Sequence, residues 1–359
     1  VHHSIECVSC RESYFLHDCV GCSNCFGGVG LRNRQYCIFG KQHSREDYFT
    51  ALQQILPVTP TVSLQAEAWI EAESKRSHVP MLFGSLYENV SGNHLYESKN
   101  LHYCFDAKRC EDCRYCFTVQ RSNHCYDISF TGGNTFCVDS LTLIDCNEVL
   151  YSHYLAYCRS AAYSEFCFSS HDILGCIGLR NTQYAILNRQ YSPEDYRELR
   201  AQIVTQMQQN GEWGEFFPSR NSPFAYNESV AGEYMPLSES EVRERGLRWL
   251  QPKSYSPPKT TPRMPSDLRG TIEQLSGATY FCKDTFKPYK ILAQEIAFCN
   301  QMQLALPELC PDRRHDRRMA KRRTRKLVQV SCTGCGRPEL SAQQDCRVLC
   351  AECYQRSLQ

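Results

Sequence analysis

Small and apolar residues recur at every third position along two stretches of the chain. That step fits neither the two-residue alternation of a flat strand nor the three-to-four spacing of a helix. Cysteines mark it most clearly: Cys104, Cys110, Cys113, Cys116, Cys125, Cys137, Cys146, Cys158, Cys167 and Cys176 are all separated by multiples of three. Two columns also recur at a step of 21, Cys104–Cys125–Cys146–Cys167 and Cys116–Cys137–Cys158, the second flanked by Leu95 and Leu179. In rows of 21 the remaining positions read Leu86, Ala107, Ile128, Val149 and Leu101, Ser122, Leu143, Ser164. A fixed period predicts stacked units that bury their side chains on one another. The fold class expected is therefore mainly β: a parallel β-solenoid of about 21-residue cysteine-rich rungs in two blocks, with helical excursions and a C-terminal zinc-ribbon domain. Aromatics beside the cysteines (Tyr103, Phe105, Tyr115, Phe117, Tyr126, Phe136, Tyr157, Phe166, Phe168) are expected to stack between rungs on the outside.

The same step runs through Cys7, Cys10, Cys19, Cys22, Cys25 and Cys37. That first block ends GLRNRQYCIFGKQHSREDY (30–48), and a second copy, GLRNTQYAILNRQYSPEDY, occupies 178–196, 148 residues later. Both copies predict a last strand followed by a helix. Ser44 and Ser192 are N-cap candidates with Asp47 and Asp195 three residues on, and Pro193 suits a first helical position. The helices are expected over about 45–56 and 193–209. PVTPTV (57–62) breaks the chain before another over about 63–77, with Leu64, Ala68 and Ile70 among its apolar positions. The division expected is a first solenoid block 1–43, a helical excursion 44–83, a second block 84–191, a helix and packed strap 192–250, a proline-rich linker 251–276 and a zinc-ribbon domain 277–359.

Charge changes this picture only locally. Residues 312–326 hold nine Lys/Arg and two Asp, a local +7 in a chain of net +1 that leaves −6 elsewhere. The 24 cysteines admit either a disulfide framework or reduced thiols used for packing and metal. The length of the chain and its terminal cysteine quartet favour reduced thiols and a cytoplasmic setting. No apolar run is long enough to span a membrane. The chain opens at Val1 with Cys7 and Cys10 already on the repeat, so further N-terminal residues are expected.

The sharpest chemical signal is Cys332-Thr-Gly-Cys335 with Cys350-Ala-Glu-Cys353. Two CxxC knuckles at this separation read as a closed tetrahedral site for structural zinc. Cys346 has the wrong spacing for a knuckle. An earlier ribbon looks degenerate, with Thr285 and Arg313 where ligands would stand. Cys282, Cys310 and His315 remain as a possible second weak site beside a metal-free remnant. Between the two lie Arg313, Arg314, Arg317, Arg318, Lys321, Arg322, Arg323, Arg325 and Lys326, a run suited either to nucleic-acid phosphates or to a solvated surface. His17 near Cys19 and His124 beside Cys125 belong to the repeat pattern rather than to a nucleophilic pair, and no catalytic motif is present.

The two long copies, GEWGEFF (211–217), SPFAYNESVAGEYMPL (222–237), RGLRW (245–249), CPDRRHDRRMAKRR (310–323) and the final CTGC…CAEC together resemble an uncharacterised family of cysteine-rich repeat proteins with zinc ribbons, common in candidate-phyla-radiation (Patescibacteria) bacteria. The resemblance implies a further ribbon ahead of the repeats and no established activity. The function expected is that of a non-enzymatic zinc-binding protein that docks nucleic acid, RNA or the ribosome, through its C-terminal region, with the solenoid as an interaction surface. A protein-interaction scaffold is the alternative, and a thiol redox or metal-storage role a third.

Overall fold

The computed structural model describes residues 1–115, 117–123, 129–258, 272–344 and 346–357. Cys116, His124, Cys125, Tyr126, Ile128 and part of the proline-rich linker lie outside them, as do the side chains of Phe117 and Ser122. The chain forms two compact units, Val1–Val79 with Gln251–Arg322 and Asp345–Arg347, and Pro80–Leu250 with Arg323–Gln344 and Val348–Gln359. The architecture is mixed α/β with parallel sheets rather than mainly β.

The parallel ladders have one register. Tyr14 pairs with Phe26 and Phe26 with Ile38 in the first unit. Ser129 pairs with Leu141 and Leu141 with His153 in the second, and Asn147, Arg159, His171 and Gln183 follow one another in the same way. Every such step is twelve residues, which corrects the 21-residue rung. The reason lies in the backbone. Two extended residues alternate with one left-handed residue, for example His3, Glu6, Ser9, Glu12, Phe15 and Asp18, at φ near 50°. The backbone therefore changes direction every third residue, and parallel partners lie twelve residues apart. Twenty-one is a multiple of three but not of twelve, so columns written at that step collect residues from different rows of the ladder.

The residue after each left-handed position points inward. Leu101, Cys113, Cys137, Val149, Ala161, Ile173 and Ala185 form one such column, all buried. Leu86 departs from its expected inward place and is 81% exposed. It is itself left-handed, and the phase slips by one residue after Gly92, whose φ is 144° and where a Cβ would stand 1.7 Å from the Cys104 carbonyl oxygen. Tyr103, Tyr115, Phe136, Tyr157, Phe166 and Phe168 are exposed as expected, while Phe105 is buried. Rings one coil apart stack, Tyr103 on Tyr115 at 5.9 Å and Tyr154 on Phe166 at 4.9 Å.

Serine and cysteine alternate in the inward columns because both satisfy backbone. The Ser152 hydroxyl donates to the Leu150 carbonyl at 2.8 Å and accepts from the Ser164 N–H at 3.0 Å. Ser164 repeats this with Ala162 and the Cys176 N–H. The Cys10 thiol accepts from the Cys22 N–H at 3.4 Å, and the Cys176 thiol donates to the Leu174 carbonyl at 3.4 Å. A buried N–H without such a partner would cost about 1–3 kcal/mol.

Each ladder ends in a short antiparallel return, Cys37 with Gln42 and Ala185 with Gln190. The capped helices follow, Arg45–Ile55 and Pro193–Gln209, with the Ser44 and Ser192 hydroxyls accepting from the Asp47 and Asp195 N–H groups at 3.1 Å. Tyr48 and Tyr196, 148 residues apart, are buried against Tyr36 and Tyr184 at 5.7 and 5.8 Å. Thr59 caps the next helix, Pro60–Arg76, so it starts inside the expected break, with Pro60 in its first turn. Its inward row is Val62, Ala66 and Ile70; Leu64 and Ala68 face solvent. In the second unit, Leu199 and Ile203 pack on Ala162, Leu174 and Ile186, and Trp213 of the following strap lies against Tyr151 and Tyr163.

The core of the first unit joins Phe15, Phe26, Ile38 and Tyr48 to Tyr280, Cys282, Ile291, Ile296 and Cys310. The degenerate ribbon thus packs against the first ladder, whereas the terminal quartet falls in the second unit. Replacing Ser164 with Val is expected to lower unfolding free energy by about 1–3 kcal/mol in a denaturant titration, whereas Ser164→Cys retains most of it, because the thiol offers the same donor and acceptor.

Candidate functional site

The cysteine quartet is built by a hairpin and a helix start. Strands Val328–Ser331 and Pro338–Ser341 pair antiparallel, with Ser331 opposite Pro338. Cys332 and Cys335 occupy the turn between them, closed by the Gly336 N–H on the Cys332 carbonyl at 2.8 Å. Gly336 takes a φ of 76°. Cys350 follows strand Arg347–Leu349, and Cys353 lies in the first turn of helix Ala351–Ser357. Thr333 locks the halves together, its N–H and hydroxyl both donating to the Val348 carbonyl at 2.9 Å.

All four sulfurs lie within 4.8 Å of one another, and those of Cys335 and Cys350 are 3.8 Å apart. Thiolates at the corners of a tetrahedron with metal–sulfur legs of about 2.3 Å sit about 3.8 Å apart, so the donor set fits a metal ion. The surroundings favour thiolate at Cys332. The Gly334 and Cys350 N–H groups donate to the Cys332 sulfur at 3.4 and 3.3 Å. Burial pushes the Cys332 thiol up, but these N–H groups and that of Cys335 outweigh it and bring it to about 6. The Cys353 thiol is pushed up to about 12, first by its hydrogen bond to Cys350 and then by burial. Arg356 donates to its sulfur at 3.1 Å. A Cβ on Gly334 would stand 3.1 Å from that sulfur, which explains a glycine inside the knuckle. Cys346 is outside the quartet.

The earlier ribbon keeps its fold by other means. Among the described residues, Cys282, Cys310 and His315 do not form a comparable donor group. Burial raises the Cys282 thiol, but the Thr285 hydroxyl and the N–H groups of Cys310, Asp284 and Thr285 together bring it to about 7. Arg313, at a ligand position of a ribbon, reaches Asp284 at 3.3 Å, and Arg317 reaches the same carboxylate at 3.2 Å. Lys283 pairs with Glu308 at 3.0 Å and Lys287 with Asp312. Ion pairs and apolar packing occupy the region where a second metal would bind.

The basic segment is largely engaged within the protein. Helix Pro311–Ala320 carries Arg313, Arg314, Arg317 and Arg318. Arg314 is forked onto Glu295, and Lys321 meets Glu67 at 3.0 Å. Arg323 lies over the Phe83 ring at 5.2 Å. Arg325 pairs with Asp106 at 2.5 Å and covers the Tyr234 ring at 3.9 Å. Arg322 also has a partner. No ion pair among the described residues holds Arg318 or Lys326. A one-dimensional reading registers the positive run but not the carboxylates, which come from residues as distant as Glu67 and Asp106.

No helix among the described residues is long and apolar enough to cross a membrane. No family model matches the chain, and none of the curated proteins matches it. The site is therefore read on its own chemistry. Elemental analysis of the purified chain should give about one metal ion per molecule, as a single closed four-thiolate site requires. Cys350→Ser should remove it and Cys282→Ser should leave it unchanged. Arg325→Met should lower stability by about 1–3 kcal/mol, while Lys326→Met stays within about 0.5 kcal/mol, both read by denaturant unfolding.

Proposed function

We propose that the chain is a non-enzymatic protein-interaction scaffold. Its two twelve-residue parallel ladders are read as β-solenoid blocks, and its terminal quartet as a structural zinc site. Zinc suits four thiolates in a tetrahedron, and the full shell leaves no open position for catalysis. Reduced, inward thiols suit a cytoplasmic setting. The same reading keeps the resemblance to the cysteine-rich repeat family.

The observation that carries the reading is an exposed apolar strip on the second ladder. Leu141 and Ile177 stand in one row, separated by His153 and Glu165, and Ile144 and Phe168 in the next, separated by Ala156. Tyr154, Tyr157 and Phe166 project beside them, and all seven apolar side chains are exposed. A surface of this kind, crossed by the His153–Glu165 pair and edged by Arg180 over Phe168, fits a protein partner with apolar contacts around a polar pair. Docking of RNA or the ribosome through the basic segment is the weaker reading, because five of its nine cations (Arg313, Arg314, Arg317, Lys321 and Arg325) already face carboxylates.

Pulldowns from nuclease-treated lysate separate the two. A scaffold should retain its partners after nuclease and lose them in the Tyr154→Ser/Phe166→Ser variant. Neutralising Arg317, Arg318, Arg322 and Arg323 should leave those partners bound, even where it lowers stability. Partners that vanish with nuclease, together with a salt-dependent electrophoretic shift that those neutralisations abolish, would replace this reading with nucleic-acid docking.

A further inference from the structure

The second copy of the ladder-plus-helix unit contains a cleft of about 800 Å³ between the ladder and helix Pro193–Gln209. Its size lies within the range of small-molecule sites. Its floor is apolar, from Val138, Leu150 and Ala161, and the exposed ring of Phe136 forms one edge. Opposite charges face each other across it. Arg197 and Arg200 come from the helix, one turn apart, and Glu148 and Asp172 from the ladder. No arginine–carboxylate ion pair closes the gap. Arg197 meets Glu194 on its own helix at 3.6 Å, the Ser160 hydroxyl donates to Glu148 at 2.8 Å, and His171 bonds Asp172 at 2.8 Å.

A buried hydroxyl and a comparison with the first copy bear on what the cleft holds. Tyr196 lines the cleft and is 3% exposed; Arg200 lies beside its hydroxyl oxygen, and, as for Tyr48 in the first copy, its O–H meets no acceptor among the described residues. Buried hydroxyls are ordinarily bonded, so this donor is available to an incoming acceptor. Three of the four cleft charges are absent from the first copy. At the same 148-residue offset, Phe49 and Leu52 stand for Arg197 and Arg200, and Asn24 for Asp172. Leu52 packs into the first unit's core. The shared scaffold therefore forms without these charges, and the second copy departs from it where the cleft opens.

We infer that this cleft binds an amphipathic α-amino acid zwitterion, free or as a short peptide. The carboxylate is held by Arg197, Arg200 and the Tyr196 hydroxyl, the ammonium by Glu148 and Asp172, and the apolar side chain lies on the Val138–Leu150 floor against Phe136. A zwitterion satisfies both charged walls without leaving either unpaired, which an anion or a cation alone does not.

Saturation-transfer NMR on the full chain tests this with three probes: L-phenylalanine, N-acetyl-L-phenylalanine, which lacks the ammonium, and L-phenylalaninamide, which lacks the carboxylate. L-Phenylalanine should bind, and each one-charge analogue should bind roughly tenfold more weakly, the effect of losing one charge-assisted contact. Arg200→Met should erase the preference over the amide, and Asp172→Asn the preference over the N-acetyl compound, with circular dichroism unchanged. No transfer to L-phenylalanine would overturn the inference. So would equal binding of the three probes, or preferences that survive both substitutions.

Discussion

The constraint on which this structure depends is a left-handed residue at every third position. A non-glycine residue there costs about 1–2 kcal/mol, yet Tyr, Phe, Glu and Leu all occupy such sites. The conformation persists because each turn delivers the next extended pair into hydrogen-bond register with the coil twelve residues away. The N–H of the left-handed residue is itself part of that ladder, as Phe15 is on the His2 carbonyl and Tyr163 on that of Leu150. Removing the register would release the strain and the hydrogen bonds together, so the ladder stands or falls as a unit.

That geometry limits what can fill the interior. The inward position recurs every three residues, so the space inside a coil is narrow and the side chains are small. The inward N–H is bonded by a side chain one coil away at Ser152 and Ser164, and by a thiol at Cys10. Serine and cysteine fit both demands, and leucine or isoleucine enters where volume rather than a donor is needed. The abundance of cysteine follows from packing and hydrogen bonding, with burial pushing thiols such as that of Cys137 up to about 11 and away from reactivity.

The two ribbons reach similar folds through different interactions. In the terminal one, four sulfurs converge and N–H groups stabilise thiolate at Cys332, so a metal bound there would couple directly to folding. In the earlier one, Asp284 receives Arg313 and Arg317, and Cys282 is buried in the apolar core of the first unit. Arginines that look like an open cationic face in one dimension thereby become structural contacts. The duplicated helix presents a similar divergence. The serine cap and buried tyrosine recur in both copies, while Leu52 meets core where Arg200 meets a cleft.

The sequence by itself determined the features that depend on neighbours in the chain. The three-residue step, the caps at Ser44 and Ser192, the helix Pro193–Gln209, the duplication and the Cys332/Cys335/Cys350/Cys353 spacing are local patterns and could be read directly. Tertiary structure decided whatever depends on a partner far along the chain. The twelve-residue register needs a residue one coil away, and a step of three leaves 12 and 21 equally compatible with the cysteine pattern. The slip after Gly92 that exposes Leu86 depends on backbone phase. The pairing of Arg325 with Asp106, 219 residues apart, and the buried hydroxyl of Tyr196 in its cleft arise only once the ladders have stacked. Local periodicity fixes which side chains turn inward; only folding fixes which groups they meet.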